Sequence, residues 1–549
     1  MDSLKKDIVQ GSVSHVEHTK PQDYTQNANA RIINPLAGLS RNELRSQVAI
    51  FCDTYNFGEK EDVFYRGALA AQNPTDYEDI EELTAEDKYH LKREITHKWH
   101  LPKDLYFTIA LCSMGSAVQG WDNTGANGAN LSFPEEFGIQ DNHWLQGLIN
   151  SGLGMGIKVS TIPVFSAEVA PASVRGGLVT SFQLWVAFGI FIGFCSNLAF
   201  FQVGRLAWRF QLAAAFVPAV PILFLVWLCP ESPRWLMKKQ RYEASYASFC
   251  RLRNTEMQAA RDLYYAHCQV SAERDAFAGV SLARRARELF TVPRIRCATL
   301  ASAWVVISQQ FSGINVMAFY SSTIFQNAGY SVRDCLLASM GFGLVTFVFA
   351  IPAVYTMDTF GRRNLMLITF PNMAACLLAA GLCFLLPDGS SSRIPLIAFF
   401  IYLFGALYGP GIGPMPSIYF SEAFPLSHRE IGAAFTICIN NAVGSVLSLT
   451  FPELLARLGA TGAFGLYAGL NMLAFIVIFF IIPETKQRTL EELDFIFAVP
   501  TRRHVAYQVR TWLPWFIRRY LLCQSQAKLE PLYQDEGAEM TIAGGSNEP

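Results

Sequence analysis

The sequence is poor in charged residues and has no excess of basic ones. Only 16% of its 549 residues are Asp, Glu, Lys or Arg, and the formal net charge is −1 at pH 7. Binding to nucleic acid requires a basic surface that neutralises phosphates. This composition therefore predicts that the protein has no nucleic-acid partner.

Ordered cysteine patterns and enzyme motifs are also missing. The 12 cysteines are scattered, mostly in apolar runs, without Cys-x-x-Cys pairs or the spacing of metal ligands. We find no nucleophile elbow, no phosphate-binding glycine loop and no cluster of metal-binding residues. The sequence therefore predicts no disulfide framework, no metal, no cofactor and no enzymatic activity.

Apolar residues, in contrast, make up 51% of the chain and are concentrated in long segments. A helix of about 20 apolar residues crosses the hydrocarbon core of a bilayer and satisfies its own backbone there. About ten such segments predict an all-α, multi-pass integral membrane protein. The predicted spans are 105–122, 144–165, 178–200, 206–228, 297–321, 336–355, 365–386, 394–420, 431–455 and 463–482.

The polar stretch before the first span has no signal peptide, so that span is expected to act as an uncleaved anchor. Basic residues near the span ends predict the orientation. The loop 230–296 is rich in Arg and Lys, whereas the loops 201–205 and 327–334 are poor in them. We therefore expect this loop and both termini to be cytosolic, in a protein of the plasma membrane. The Asn130-Leu131-Ser132 sequon would then face outward, as a candidate for glycosylation.

This pattern divides the chain into five predicted parts. They are a polar cytosolic N-terminal region (1–104), a truncated N-terminal helix bundle (105–229), a cytosolic linker with short helices (230–296), a C-terminal six-helix bundle (297–482) and a cytosolic tail (483–549).

Two motifs recur at nearly the same distance. The pattern E-x-x-P-x-x-x-R occupies 168–175 and again 422–429, an offset of 254 residues (422 − 168). The pattern P-E-S/T occupies 230–232 and again 483–485, an offset of 253 (483 − 230). A nearly common offset predicts two related halves joined by the linker.

The first half is shorter than the second. The motif D-x-x-G-R-R at 358–363 begins 64 residues before Glu422, but 64 residues before Glu168 is Asp104, where the first span begins. The first half therefore lacks about 60 residues, enough for two spans and the loop between them.

Six motifs together resemble those of the sugar porters of the major facilitator superfamily, over roughly residues 101–494. In chain order they are Gly120-Trp121-Asp122, the motif at 168–176, Pro230-Glu231-Ser232-Pro233-Arg234-Trp235-Leu236, Gln309-Gln310-Phe311-Ser312-Gly313-Ile314-Asn315, the motif at 358–363 and Pro483-Glu484-Thr485-Lys486. The long polar N-terminus is similar to that of fungal sugar and polyol transporters. The resemblance implies a two-bundle fold with substrate at the interface and alternating access. With two spans missing, we expect about ten transmembrane helices instead of twelve.

The resemblance also implies a solute site built from uncharged amides. The corresponding residues are Gln183, Gln309, Gln310, Asn315 and Asn440. Amides both donate and accept hydrogen bonds, so they can replace the water around a hydroxylated solute. Polar contact between helices is the alternative explanation for each of them.

Charged residues suggest two further roles. Asp122 is the candidate for proton coupling, because a carboxylate within a bilayer is costly unless it is paired or functional, and proton symporters of this family resemble the chain in having Asp here. A solvated helix end is the alternative. A second group of charges is expected to form a cytosolic gate or a static brace. Its members are Glu168, Arg175, Asp358, Arg362, Arg363, Glu422 and Arg429.

Because the first half lacks its copy of the D-x-x-G-R-R motif, we expect Glu168 to have lost its arginine partners and the gate there to be looser. The favoured function is transport of a monosaccharide or polyol, facilitated or coupled to protons. Export of a secondary metabolite stays open, since Thr346 and Ser417 stand where many members have Asn and Trp. A non-transporting nutrient sensor and a defective product of splicing or gene prediction also stay open.

Overall fold

The chain is α-helical, with no strand among the residues that the structure describes. The computed structural model describes residues 36, 38–74, 77–97, 100–139, 142–154, 165–166, 168–276, 281–353, 359–387, 390–425, 427–486, 493 and 496–521, without the side chains of 151–154, 172–180, 205, 272–276, 520 and 521. The principal helices are α1 (Arg41–Thr54), α2 (Glu61–Gln72), α3 (Ala85–Thr96), α4 (Lys103–Ala129), α5 (His143–Gly154), α6 (Ala172–Phe200), α7 (Ala207–Ala213), α8 (Phe216–Leu225), α9 (Pro233–Lys238), α10 (Tyr242–Leu252), α11 (Glu256–Ala276), α12 (Leu282–Thr291), α13 (Pro293–Phe311), α14 (Ile314–Asn327), α15 (Val332–Ala350), α16 (Arg362–Cys383), α17 (Arg393–Tyr408), α18 (Met415–Ala423), α19 (Arg429–Ile481) and α20 (Thr501–Tyr507).

Every predicted span contains one of these helices. Among the described residues, five helical segments are long and apolar enough to cross a membrane, and a bent pair formed by α12 with α13–α14 raises the number to six. The 53-residue helix α19 is two spans, because Gly459 interrupts it with φ 66° and ψ 177°. Helix α4 is more polar, and α17 is apolar but shorter.

The helices form two unequal halves. Among the described residues, the first half contains α4, α5, α6 and α7–α8, and the second half contains α13 to α19; the predicted span 144–165 lies outside the described residues from 155 to 164. Helices α4, α5 and α6 contact α14, α19 and α15 of the other half, respectively. The two halves therefore face each other along a long interface, and fewer of the described helices belong to the first half.

Close backbone contact holds α4 against α6. A Cβ atom on Gly120 would lie 2.0 Å from the Val186 carbonyl oxygen, and one on Gly189 would lie 1.9 Å from that of Ala117. Small residues allow the two backbones to approach closely. In a bilayer the hydrophobic effect does not drive helices together, so this packing contact stabilises the pair instead. A side chain at either glycine would force α4 and α6 apart.

Several predicted spans differ from the observed helices at their ends or in their continuity. The first extends beyond 122 to Ala129, and the span 206–228 is divided between α7 and α8. The spans 297–321 and 394–420 are each broken into two helices, at Gly313 and at 409–414. Hydropathy alone did not indicate these breaks, because the interrupted residues are themselves apolar or small.

The N-terminal region folds with the linker into one helical unit, which the sequence analysis did not predict. Ser40 and Thr84 each begin a helix with a capping box, accepting from the backbone N–H of Glu43 and Asp87. Apolar residues of α1–α3 share a buried core with residues of α9–α11. The aromatic rings of Tyr55 and Tyr242, for example, stack 3.7 Å apart. The described residues of α1–α3 and of α9–α11 are therefore not separate polar segments.

A buried ion cluster joins this unit to the first half. Glu94 of α3 pairs with Arg261 at 3.1 Å, and Asp262 pairs with both Arg261 (2.9 Å) and Arg253 (2.5 Å). Burial alone would raise the pKa of Asp262, but the two guanidinium groups lower it to about 2. Arg253 in turn donates to the Val169 carbonyl at 3.1 Å, within the first repeated motif.

The neighbouring Arg251 extends this attachment to two spans. It pairs with Asp104 at the start of α4 (2.6 Å) and donates to the Leu228 carbonyl after α8 (2.8 Å). The linker thus holds the ends of several first-half spans. We call these ends the linker side of the protein and the opposite ends the far side.

We predict that Asp262→Asn destabilises the unit formed by α1–α3 and α9–α11. Removing one member of a buried ion cluster costs about 3–5 kcal/mol, since the remaining charges stay buried without compensation. Limited proteolysis of the purified full chain should therefore show much faster cleavage in α1–α3. The difference in cleavage rate between the variant and wild type should persist above pH about 4, where the carboxylate is ionised in the unfolded chain as well. It should shrink as the pH falls toward 2, because the carboxylate of the folded wild type is then protonated.

The matched control is Glu256→Gln on the same helix. Glu256 pairs with Lys60 at 3.6 Å across the same two segments, but both side chains are exposed, so the loss should be under about 1 kcal/mol. Equal cleavage rates for the two variants would contradict the structural role of the buried cluster.

Candidate functional site

The break between α13 and α14 places polar groups inside the second half. Gly313 has φ 86°, a left-handed conformation that glycine adopts without strain, and it turns the chain between the two helices. The break frees the carbonyls of Phe311 and Ser312, and the buried Asn471 amide donates to both at 3.3 Å. Sequence analysis missed Asn471, although a lone amide in an apolar span was its visible signal.

Three predicted site residues form a hydrogen-bonded chain at this break. Asn315 donates to the Gln310 carbonyl oxygen at 2.7 Å, and the Gln310 amide donates to Asn440 at 2.8 Å. Gln310 is buried and the other two are half-buried. A Cβ on Gly444 would lie 3.0 Å from the Gln310 oxygen, so the glycine leaves room for this side chain. The chain offers uncharged donors and acceptors that a hydroxylated solute could share or exchange.

Gln309 lies beside this chain but contacts a different break. Its amide donates to the Tyr408 hydroxyl at 3.2 Å and to the Gly413 carbonyl at 3.0 Å, in the segment between α17 and α18. Two interrupted spans therefore supply backbone or side-chain polar groups to one region. Interrupted helices in a membrane are tolerated where they line a cavity or are buried in protein.

The structure does not join Gln183 to the other four predicted residues. Gln183 is half-buried on α6, and no hydrogen bond of its side chain occurs among the described residues. Its helix does meet the second half, where Phe188 contacts Phe347 with ring centroids 5.3 Å apart. Four of the five predicted amides thus lie in one region of the second half, and the fifth lies on the opposing half.

Gln119 on α4 is a further amide that the sequence analysis passed over. Its carbonyl oxygen is buried and has no hydrogen-bond partner among the described residues. A buried acceptor without a partner is unfavourable, so such an atom gains from a ligand that donates to it. The signal was available in the sequence, one residue before the Gly120-Trp121-Asp122 motif.

On the far side, asparagines of the first half bind the second half. Asn127 is fully buried, donates to the Ala318 carbonyl (3.0 Å) and to the Ser321 hydroxyl (2.9 Å), and accepts from Ser322. Asn150 of α5 donates to the Tyr320 hydroxyl at 3.1 Å. We call these contacts the far-side seal.

The predicted glycosylation residue also belongs to this seal. The Asn130 amide donates to the Phe319 carbonyl at 2.9 Å, and its oxygen accepts from Asn150 at 3.1 Å. The sequon thus lies at the interface between the halves instead of on an open loop. In this conformation the amide nitrogen that would carry a glycan is occupied.

Asp122 lies within α4, two turns before its end at Ala129, and is half-buried. Asp122 therefore does not lie at a solvated helix end. Its helix forms part of the interface between the halves, so a change of its protonation state would act where the halves move relative to each other.

Charged residues of the second half form a network on the linker side. Glu422 accepts from Arg362 at 3.0 Å and from the Thr485 hydroxyl at 2.8 Å. Glu484 accepts from the backbone N–H groups of Arg362 (2.9 Å) and Arg363 (3.0 Å), which are the unpaired donors at the start of α16. Glu484 was not among the predicted gate residues, although the sequence analysis had identified its P-E-S/T motif as a repeat.

The same contact occurs in the first half. Glu168 accepts from the Ser232 hydroxyl at 2.5 Å, as Glu422 accepts from Thr485. Among the described side chains Glu168 has no arginine partner, whereas Glu422 pairs with Arg362; the side chain of Arg175 lies outside the described part of the chain. The duplicated sequence therefore makes a duplicated contact, to which Arg362 is added in the second half.

The remaining predicted gate residues are partly described. Arg363 donates to the Phe479 carbonyl at 2.8 Å, and Arg429 is the first residue of α19. Asp358 and the side chain of Arg175 lie outside the described part of the chain.

Comparison with known proteins is consistent with this arrangement. The family described as "Sugar (and other) transporter" matches residues 97–497. The chain belongs to this family of transporters, which are not enzymes.

Its relatives include a probable polyol transporter of Arabidopsis thaliana, which is 33% identical over 362 residues that cover 63% of this chain and 71% of the relative. The arabinose-proton symporter of Escherichia coli is 32% identical over 349 residues, covering 62% and 71%.

Among solved structures, the xylose transporter of E. coli in a partially occluded inward-open conformation has a TM-score of 0.57 at 19% identity, covering 70% of this chain and 99% of that one. The same transporter bound to 6-bromo-6-deoxy-D-glucose has a TM-score of 0.51 at 23% identity, covering 83% and 98%. The fold is therefore that of the major facilitator superfamily, as the motifs predicted.

We predict that Asn127→Ala loosens the far-side seal. The change removes three hydrogen bonds between α4 and α14, each worth about 0.5–1.5 kcal/mol. A maleimide should then label Ser339→Cys, which lies buried behind the seal, at least tenfold faster in the purified protein, as measured by mass spectrometry of that peptide.

Asn372→Ala is the control for this measurement. Asn372 is an exposed amide on α16 that donates only to its own helix, at the Ile368 carbonyl. Unchanged labelling in Asn127→Ala would show that Asn127 does not hold the halves together.

Proposed function

We propose that the protein moves a small polyhydroxylated solute, a monosaccharide or a polyol, across the membrane by alternating access. The observation that carries the proposal is the chain of hydrogen-bonded amides formed by Asn315, Gln310 and Asn440 at the break between α13 and α14. The sugar transporter family and its polyol and arabinose relatives support the same class of solute.

The amide chain suits a solute of many hydroxyl groups. A hydroxyl donates one hydrogen bond and accepts others, and so do the carboxamides of Gln310 and Asn440. A sugar that enters this region exchanges its water for amide partners without leaving a charge buried. The amides also bond to one another, which avoids unsatisfied groups between transport cycles.

Alternating access fits the asymmetry between the two sides. On the far side the halves are joined by the seal around Asn127 and Asn150. On the linker side, α10 and α11 attach to the first half through Arg251 and Arg253, whereas α12 attaches to the second half through Arg285, which donates to the Ser427 carbonyl. Between these attachments, only an exposed pair among the described contacts, Lys238 of α9 with Glu430 of α19 at 3.1 Å, joins the unit of α9–α11 to the second half. The linker is thus attached to both halves, an arrangement that allows them to rock about the solute region.

We further propose that the linker side faces the cytosol, with both termini, in the plasma membrane. The concentration of Arg and Lys in 230–296 supports this orientation, since basic loops remain on the cytosolic side.

Protons are the proposed coupling ion, and Asp122 is the proposed proton carrier. Its half-buried position within α4, beside the interface of the halves, supports this role. A carboxylate that gains and loses a proton there changes the electrostatic cost of closing the interface around it.

Uptake of labelled hexoses, pentoses and polyols in a transporter-null host tests the transport proposal. Asn315→Ala and Gln310→Ala should each raise the KM of the transported solute about two- to tenfold, the worth of one hydrogen bond. Asn372→Ala, which removes an exposed amide, should leave KM unchanged.

Two results would count against this proposal in different ways. No uptake of any hexose, pentose or polyol by a wild-type chain that reaches the cell surface would exclude uptake of these solutes and leave the export and sensor interpretations. Uptake with an unaltered KM in Gln310→Ala would be compatible with transport but would show that the solute binds elsewhere.

The proton proposal predicts that Asp122→Asn uncouples transport from pH. The amide cannot exchange a proton, so the variant should lose accumulation against a gradient while retaining exchange of labelled for unlabelled solute. Cytosolic acidification on solute addition, followed with a pH-sensitive fluorophore, should disappear in the variant. Persistent acidification would exclude Asp122 as the proton carrier.

A further inference from the structure

Helix α12, Leu282–Thr291, lies across the direction of the spans. It ends at Thr291, and the chain then bends by 82° into the span formed by α13 and α14. A helix so oriented at the end of a span runs roughly parallel to the membrane surface. Its position is therefore that of the boundary between hydrocarbon and water on the linker side.

One face of α12 is bound to the second half. Leu289 is buried, Arg285 donates to the Ser427 carbonyl at 2.5 Å, and Glu288 contacts the His428 imidazole at 2.9 Å. Ser427 and His428 immediately precede Arg429, the last residue of the second repeated motif. These contacts fix the rotation of the helix, so the direction of its other residues follows from the helical period.

Next to the bound face lies an apolar edge. Leu282 and Phe290 are 70% and 53% exposed, although they are large hydrophobic side chains. The ring of Phe290 contacts that of Phe435 with centroids 5.3 Å apart. Phe435 lies in the second turn of the span α19, so the apolar edge of α12 reaches the same depth as the beginning of that span.

Beyond the apolar edge lies a basic edge. Arg284, Arg287 and the nearby Arg296 of α13 are all exposed. Arg284 contacts Glu288 at 3.3 Å but remains 68% exposed, and neither Arg287 nor Arg296 has a carboxylate partner among the described residues. Three guanidinium groups thus stand beside exposed apolar side chains, in the order expected for a helix at a membrane surface.

We propose that α12 and Arg296 form a binding surface for anionic lipid of the adjoining leaflet. Leu282 and Phe290 enter the boundary of the acyl chains, and Arg284, Arg287 and Arg296 bind phosphate groups of the lipid headgroups. The complementary charge and the adjacent apolar edge together select a lipid over a soluble anion. Because the other face of α12 holds Ser427 and His428, bound lipid also steadies the second repeated motif.

The inference goes beyond the transport function and is tested without it. The purified full chain in an uncharged detergent is titrated with phosphatidylserine, phosphatidylcholine or inorganic phosphate, and its unfolding temperature is followed by tryptophan fluorescence. Phosphatidylserine alone should raise the unfolding temperature. Each Arg→Gln change should weaken its apparent affinity about fivefold, so the triple variant R284Q/R287Q/R296Q should bind roughly a hundredfold more weakly.

The matched control removes three exposed cations elsewhere. Arg41, Lys60 and Lys92 are exposed residues of α1–α3, and R41Q/K60Q/K92Q has the same change of net charge. This variant should retain the full response to phosphatidylserine. If R284Q/R287Q/R296Q does not fold, two other variants provide the same comparison. R287Q should lose affinity for phosphatidylserine about fivefold. The charge-retaining R284K/R287K/R296K should lose none.

Three outcomes would overturn the proposal. One is an equal response of R284Q/R287Q/R296Q and wild type to phosphatidylserine. Another is equal stabilisation by phosphatidylcholine, which would show a purely apolar contact. The third is equal stabilisation by inorganic phosphate, which would show a site for a soluble anion.

Discussion

A polar group inside the hydrocarbon of a bilayer must find its partner within the protein. The second half depends on this constraint, because it interrupts two spans and so releases backbone carbonyls. Asn471 binds the carbonyls freed at Gly313, and Gln309 binds that of Gly413. The same breaks bring Gln310 and Asn315 to within hydrogen-bond distance of each other. Satisfying the interrupted backbone and building an uncharged polar site are thus one structural solution.

The duplicated motifs are preserved as contacts. Glu168 and Glu422 each accept a hydrogen bond from the hydroxyl of the second motif in their own half, Ser232 or Thr485. In the second half Arg362 also pairs with Glu422. In the first half, the corresponding loop is missing, but the carbonyl next to Glu168 is bound by Arg253 of the linker. The unit formed by α1–α3 and α9–α11 therefore braces the half that has lost two spans.

Sequence reasoning succeeded where the signal is local or repeated. Apolar segments of the length of a bilayer predicted the spans, a common offset predicted the two halves, and the distance between motifs predicted the missing pair. It also selected Gln309, Gln310, Asn315 and Asn440, which lie in one region. It missed α1–α3, because helices with a narrow apolar face and many charges are similar in composition to a polar tail until their partner is known.

The sequence by itself determined membrane insertion and the duplication, since these follow from composition, length and motif spacing, and its six motifs indicated the family by resemblance. Only the tertiary structure decided which polar groups meet. Asn127 and Ser321 are 194 residues apart in the chain, and Glu94 and Arg261 are 167 apart. No local periodicity encodes such pairs, because they arise when separate helices pack. For the same reason Gln183 is set apart from the other amides, and Asn130 lies in the interface between the halves, a position that its sequon could not indicate.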